Sequence, residues 1–118
     1  MLTHSEENYL KTIFHLSLET DKEITTNSIA SKINSKPSSV TEMLKKMGDK
    51  SLVSYQKYKG VSLTELGQKT ALKIIRKHRL WEVFLFDKLN FSWDEVHEIA
   101  EQLEHIQSDK LTQELDRF

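Results

Sequence analysis

The stretch that most constrains how this chain can fold is Asn34-Ser35-Lys36-Pro37, a turn set between two short runs of helical periodicity. Upstream, Ile29, Ala30 and Ile33 form an inward stripe on a helix expected from Ser28 to Ile33, after Ile24-Thr25-Thr26-Asn27. Downstream, Pro37 stands where the first turn of a helix tolerates it, because its missing N–H would have no partner there. Val40, Leu44 and Met47 then face inward on a helix that opens with Ser38, Ser39 and Thr41 and closes with Lys45 and Lys46. Small hydroxyl side chains at the start of the second helix let its N-terminus approach base edges and phosphates, so the pattern reads as a helix-turn-helix. The expected DNA-facing residues are Thr26, Asn27, Ser35, Lys36, Pro37, Ser38, Ser39, Thr41 and Lys45.

A hairpin follows. Val53 and Tyr55 alternate against Val61 and Leu63 around Lys57-Tyr58-Lys59-Gly60, which predicts two short strands and turns the motif into a winged helix. Lys57 and Lys59 at the tip would lie on phosphates, supplying salt-dependent affinity without sequence information, with Tyr58 beside them or covering the apolar side of the hairpin.

Helix 1 is expected from Ser5, as its cap, to about Glu19, with Tyr9, Leu10, Ile13, Phe14 and Leu16 recurring at helical spacing. A fourth helix from Thr64 to about Lys88 exceeds what a lone winged domain needs, and the aromatics Trp81, Phe84, Phe86, Phe91 and Trp93 suit a core or a subunit interface. Ser92 caps a fifth helix carrying His97 to His105, and Ser108 a sixth from Asp109 to Phe118. The expected architecture is mainly α, a winged helix-turn-helix over residues 1–70 followed by a helical dimerisation and metal-binding region over 71–118.

Charge is distributed unevenly along the chain. Residues 25–80 carry 12 basic against 3 acidic groups and residues 81–118 carry 3 against 10, although the net charge is only −1. A basic middle suits a polyanion and an acidic C-terminal third suits cations. With no cysteine, disulfides, thiolate metal sites and cysteine nucleophiles are excluded. The acidic N-terminus has no signal-like apolar core and no run nears the roughly 18 residues of a membrane span, so a soluble cytoplasmic protein is expected.

The acidic third has a particular order. At about 100° per residue, His97, Glu101, Glu104 and His105 share one narrow helix face, opposite Val96, Ile99, Leu103 and Ile106. His78 and Glu82, at i and i+4, share a face of the fourth helix. Three of the five histidines thus stand among carboxylates within 28 residues, a donor set for divalent Mn, Fe, Co, Ni or Zn. Without a nucleophile or a Gly-rich phosphate loop, catalysis is not expected. A winged-helix regulator answering to a small organic ligand, a metallohydrolase and a metal-independent DNA-binding or dimerisation module stay open on the residues alone.

Five segments together carry a resemblance: Ser5 to Phe14, Lys36 to Thr41, Lys57 to Thr64, Arg76 to Glu82 and His97 to His105. In this order the chain resembles, essentially end to end, the diphtheria-toxin-repressor and manganese-transport-repressor family of metal-dependent transcriptional regulators. The resemblance implies a homodimer that binds a palindromic double-stranded operator when charged with one or two Mn(II) or Fe(II) ions per subunit and represses metal-uptake genes. It implies an ancillary metal site of His78, Glu82 and His97, and a primary site of Glu101, Glu104 and His105 joined by Asn8 from helix 1. Glu101 replaces the cysteine of iron-responsive members, a harder ligand that favours Mn(II) or Fe(II). Asn8 stands where the two branches have methionine or aspartate and can ligate through its amide oxygen, whereas Lys11 replaces a glutamate of the manganese branch and favours two separated sites over a close two-metal cluster. Many members continue past the position of Phe118 into an SH3-like domain, so the chain is expected to be a short form or a fragment.

Overall fold

The computed structural model describes residues 2–21, 23–56 and 59–118, which divide into two compact units, Met1–Leu72 and Lys73–Phe118. The first unit holds α1 (His4–Glu19), α2 (Thr26–Ile33), α3 (Pro37–Asp49), β1 (Val53–Gln56), β2 (Gly60–Leu63) and the first turns of α4 (Glu65–Lys88). The second holds the rest of α4, α5 (Trp93–Leu103) and α6 (Asp109–Arg117).

Caps decide where the first helices begin, and two begin earlier than their apolar stripes suggest. Thr3, rather than Ser5, caps α1: its hydroxyl accepts from the Glu6 N–H at 3.1 Å while its own N–H donates to Glu6 Oε1 at 2.9 Å, a reciprocal capping box. Thr25 caps α2 by accepting from the Ser28 N–H at 3.0 Å, which places Thr26 and Asn27 inside the helix. Asn34 ends α2 in the left-handed region at φ 62°, where asparagine is better tolerated than most residues. The Ser35 N–H then closes on the Ala30 carbonyl at 3.0 Å, and Pro37 opens α3.

Leu10, Ile13, Ile29, Val40, Leu44 and Met47 have no solvent exposure and form the core of this unit, each contributing about 1.5–3 kcal/mol by burial. The hairpin pairs Val53 with Leu63 and Tyr55 with Val61, the alternation expected. Ile24 adds an unexpected third rung, its carbonyl accepting from the Val61 N–H at 2.9 Å. At the foot of the hairpin, the Leu52 carbonyl oxygen occupies the space that a Cβ at position 67 would need, so Gly67 is what lets α4 start against the wing. Lys57 and Tyr58, expected at the wing tip, lie outside the described residues.

In the second unit Ile74, Leu85, Val96 and Ala100 are buried. Ser92 is the N-cap of α5, as expected, and its N–H donates to Glu95 Oε1 at 3.0 Å; the Ser92 hydroxyl and backbone hold the Glu95 carboxyl below the usual value. The Arg76 guanidinium meets the Asp116 carboxylate at 2.8 Å, joining α4 to α6. Among the described residues no helix is long and apolar enough to cross a membrane.

The expected fifth helix is too long. It ends at Leu103, and Glu104 and His105 continue as a turn. Burial differs along the expected face: His97 and Glu101 are exposed, whereas Glu104, still helical in backbone with its N–H on the Ala100 carbonyl, is fully buried and His105 nearly so. Ile106, expected to pack, is instead 41% exposed just past the helix end.

Candidate metal centre

Two consecutive helices bring candidate metal-ligating side chains of the second unit together. His78 and Glu82, one turn apart on α4, place Nε2 and Oε2 3.3 Å from each other. His97 on α5 brings Nδ1 to 3.2 Å from His78 Nε2 and 3.6 Å from Glu82 Oε2. One ligand atom from each of the three thus falls within 4.8 Å of the other two. Ligands bound to a common ion at about 2.1 Å and at right angles stand about 3 Å apart, so the spacing suits one divalent cation.

The outer nitrogens of both imidazoles face carboxylates. His78 Nδ1 lies 2.7 Å from Glu104 Oε1, and His97 Nε2 lies 3.3 Å from Glu101 Oε1. A carboxylate at the outer nitrogen holds the proton there and turns the other lone pair inward, as it does for metal-bound histidines generally. The inner cluster then has more lone pairs than protons, an arrangement that a cation completes. Glu104 Oε2 is also 4.0 Å from His105 Nε2. The residues expected as two separate sets lie along one chain of contacts, from Glu101 through His97, Glu82, His78 and Glu104 to His105. The 26-residue link from His78 to Glu104 has no sequence signal beyond residue type, because it depends on how α4 packs against the end of α5. Asn8 is exposed on α1 of the first unit.

In the first unit, a cleft of about 500 Å³ runs beside the start of α2, along α3 and under the wing. Thr26, Asn27, Pro37, Thr41, Lys45 and Lys59 line it, together with Glu23, Thr25, Tyr55 and Gly60, which the sequence reasoning did not include. Tyr55 shares the inward face of β1 with the buried Val53, so spacing alone marks it as an apolar rung. The Thr41 hydroxyl donates back to the Pro37 carbonyl at 3.1 Å, and Ser35, Lys36, Ser38, Ser39 and Lys45 are all exposed.

Residues 1–61 match the model of the iron-dependent repressor N-terminal DNA-binding domain, and residues 64–118 that of the iron-dependent repressor metal-binding and dimerisation domain. The chain belongs to the iron-dependent repressor family. Among its relatives is an uncharacterized HTH-type transcriptional regulator of Methanocaldococcus jannaschii, 37% identical over 99% of this chain and 94% of that one. The HTH-type transcriptional regulator MntR of Oceanobacillus iheyensis is 31% identical over 89% of this chain and 70% of its own. A solved manganese-dependent transcriptional repressor in complex with manganese superposes with a TM-score of 0.83 at 36% identity, covering 95% of this chain. This chain spans about half of that one, 51% of its length. Iron-dependent repressor family members are DNA-binding, metal-binding, dimerising regulators rather than enzymes, which removes the metallohydrolase alternative.

Proposed function

We propose that this chain is a cytoplasmic, metal-activated transcriptional repressor, in which Mn(II) or Fe(II) bound in the acidic third controls how tightly a dimer grips a palindromic operator. The observation that carries the reading is the convergence of His78 Nε2, Glu82 Oε2 and His97 Nδ1, in a member of a repressor family, on the α4–α5 pair. Nitrogen and carboxylate donors without thiolate suit Mn(II) and Fe(II).

In this proposal residues 1–70 bind DNA and residues 71–118 dimerise and hold metal. His78, Glu82 and His97 form one ligand set, while Glu101, Glu104 and His105, with Asn8 as the sequence resemblance assigns it, supply the other. A bound divalent ion supplies the positive charge that offsets repulsion among these carboxylates. The residues of α4 and α5 do the rest: Glu104 and Glu101 orient the two imidazoles, and the burial of Glu104 fixes their geometry. Metal controls DNA binding only if its affinity differs between DNA-competent and incompetent arrangements.

On DNA, the start of α3 would read base edges from the major groove through Ser38, Ser39 and Thr41, with Thr26, Asn27, Ser35, Lys36 and Pro37 beside them. Lys45, and Lys57, Tyr58 and Lys59 of the wing, would hold phosphates and sugars. For dimerisation, Val83, Phe86, Leu89 and Trp93 are exposed at 53%, 47%, 50% and 60%, an apolar surface of the kind that a second copy covers.

The test is a fluorescence-anisotropy titration of a candidate palindrome at stated salt, with and without each metal. Binding is expected to strengthen with Mn(II) or Fe(II) and to be reversed by chelator; chelator-insensitive binding would favour a regulator answering to an organic ligand.

A further inference from the structure

α1 is fastened to both ends of α3 by polar contacts that the functional reading leaves unused. At the exit of α3, the Lys50 ammonium lies 2.9 Å from Glu6 Oε1 and 2.8 Å from Oε2. The Glu6 side chain is only 4% exposed. A carboxylate that buried is costly unless paired, so the contact is not the usual interchangeable surface ion pair. At the entry of α3, the Tyr9 hydroxyl is hydrogen-bonded to Ser35, two residues before Pro37, and the Tyr9 ring is buried.

Glu6 and Tyr9 are three residues apart and so lie on one face of α1, while Asn8 is exposed on another. The close backbone packing in this unit runs from α1 to α2 and β2, and from α3 to α2 and β1. The Glu6–Lys50 and Tyr9–Ser35 contacts are direct ties between α1 and the two ends of the helix that opens with Ser38, Ser39 and Thr41.

We infer that Glu6, Lys50, Tyr9 and Ser35 are positioning residues that make α3 follow α1, so that a displacement of α1 is delivered to both ends of the recognition helix at once. This rests on the proposed metal-activated repression, in which α1 carries the candidate ligand Asn8. A single tie would let α3 pivot about it; two ties, 15 positions apart at Ser35 and Lys50, transmit orientation as well as position.

The test measures operator affinity with and without Mn(II) for the wild-type chain, Lys50→Met, Lys50→Arg and Tyr9→Phe, each checked for folding by circular dichroism and for Mn(II) binding by calorimetry. The readout is the ratio of metal-loaded to metal-free affinity. Lys50→Met is expected to lower that ratio about fivefold, within the range by which changes along coupled networks act, with Mn(II) binding retained; Lys50→Arg is expected to keep it, and Tyr9→Phe to lower it. Were Lys50 only a phosphate contact, both affinities would fall together and the ratio would stay, which overturns the inference. Were it only structural, the melting temperature would fall with the ratio unchanged, which also overturns it. If Lys50→Met does not fold, Tyr9→Phe decides by the same criterion. A wild-type chain with no metal stimulation overturns the repressor reading itself, and the inference with it.

Discussion

His78 Nδ1 lies 2.7 Å from Oε1 of Glu104, a carboxylate with no solvent exposure. The contact makes the buried end of α5 part of the environment of a histidine on α4, and it determines which nitrogen of that histidine is free. Replacing Glu104 by glutamine keeps the volume but allows an amide N–H to face the imidazole and removes the charge. Glu104→Gln is expected to weaken Mn(II) binding by about 10- to 100-fold, measured by calorimetry, while circular dichroism shows the helices intact. Unchanged affinity would remove Glu104 from the metal centre.

The apolar surface of the second unit gives a separate prediction. Phe86 and Trp93 stack edge to face at 5.3 Å while both remain about half exposed. An aromatic anchor at an interface is worth about 2 kcal/mol or more, and a two-fold axis uses it twice. Phe86→Glu is expected to shift the chain to monomer in sedimentation-velocity runs at micromolar concentration, with α-helical signal retained. A dimer of undiminished strength would place the interface elsewhere.

Lys45 is exposed on α3 and lines the cleft under the wing. As a phosphate contact it would contribute affinity without selectivity. Lys45→Ala is expected to weaken operator and unrelated DNA alike, and to reduce the slope of log affinity against log salt by about 1. A loss confined to the operator would instead make it a base-reading residue.

Gly67 tests the fold rather than the function. The Leu52 carbonyl stands where its Cβ would go, and that carbonyl also accepts from the Thr64 N–H at 3.1 Å. Backbone yields less readily than a side chain, so Gly67→Ala is expected to cost about 1–3 kcal/mol, seen in urea denaturation. A variant as stable as the parent would mean that the start of α4 moves freely from the wing.

Much of this was legible in the sequence because it depends on local chemistry. Pro37 marks the start of α3, Val53 and Tyr55 alternate as the hairpin requires, and His78 with Glu82 needs only the helical repeat. The misses share a cause, which is that a helix end depends on side-chain hydrogen bonds as well as on periodicity. Thr3 and Thr25 begin α1 and α2 earlier than their apolar stripes suggest, although the Thr-x-x-Glu spacing of Thr3 and Glu6 is a signal that was present. Burial along the face of α5 is uneven as well, since His97 and Glu101 stay exposed while Glu104 and His105 lie in the interior, which helical spacing alone does not reveal. Contacts between distant segments, His78 with Glu104 and Glu6 with Lys50, leave no periodic trace and emerge only once the helices are packed.

The most direct test of the account compares the wild-type chain with His78→Ala in an anisotropy titration of the operator, with and without Mn(II), at one fixed salt concentration. His78 touches both Glu104 and the Glu82–His97 pair, so its removal disables the centre at its hub. Mn(II) is expected to tighten wild-type binding by at least about tenfold, or about 1.4 kcal/mol, and to leave His78→Ala at the metal-free affinity. Equal stimulation of both proteins by Mn(II) would contradict that expectation.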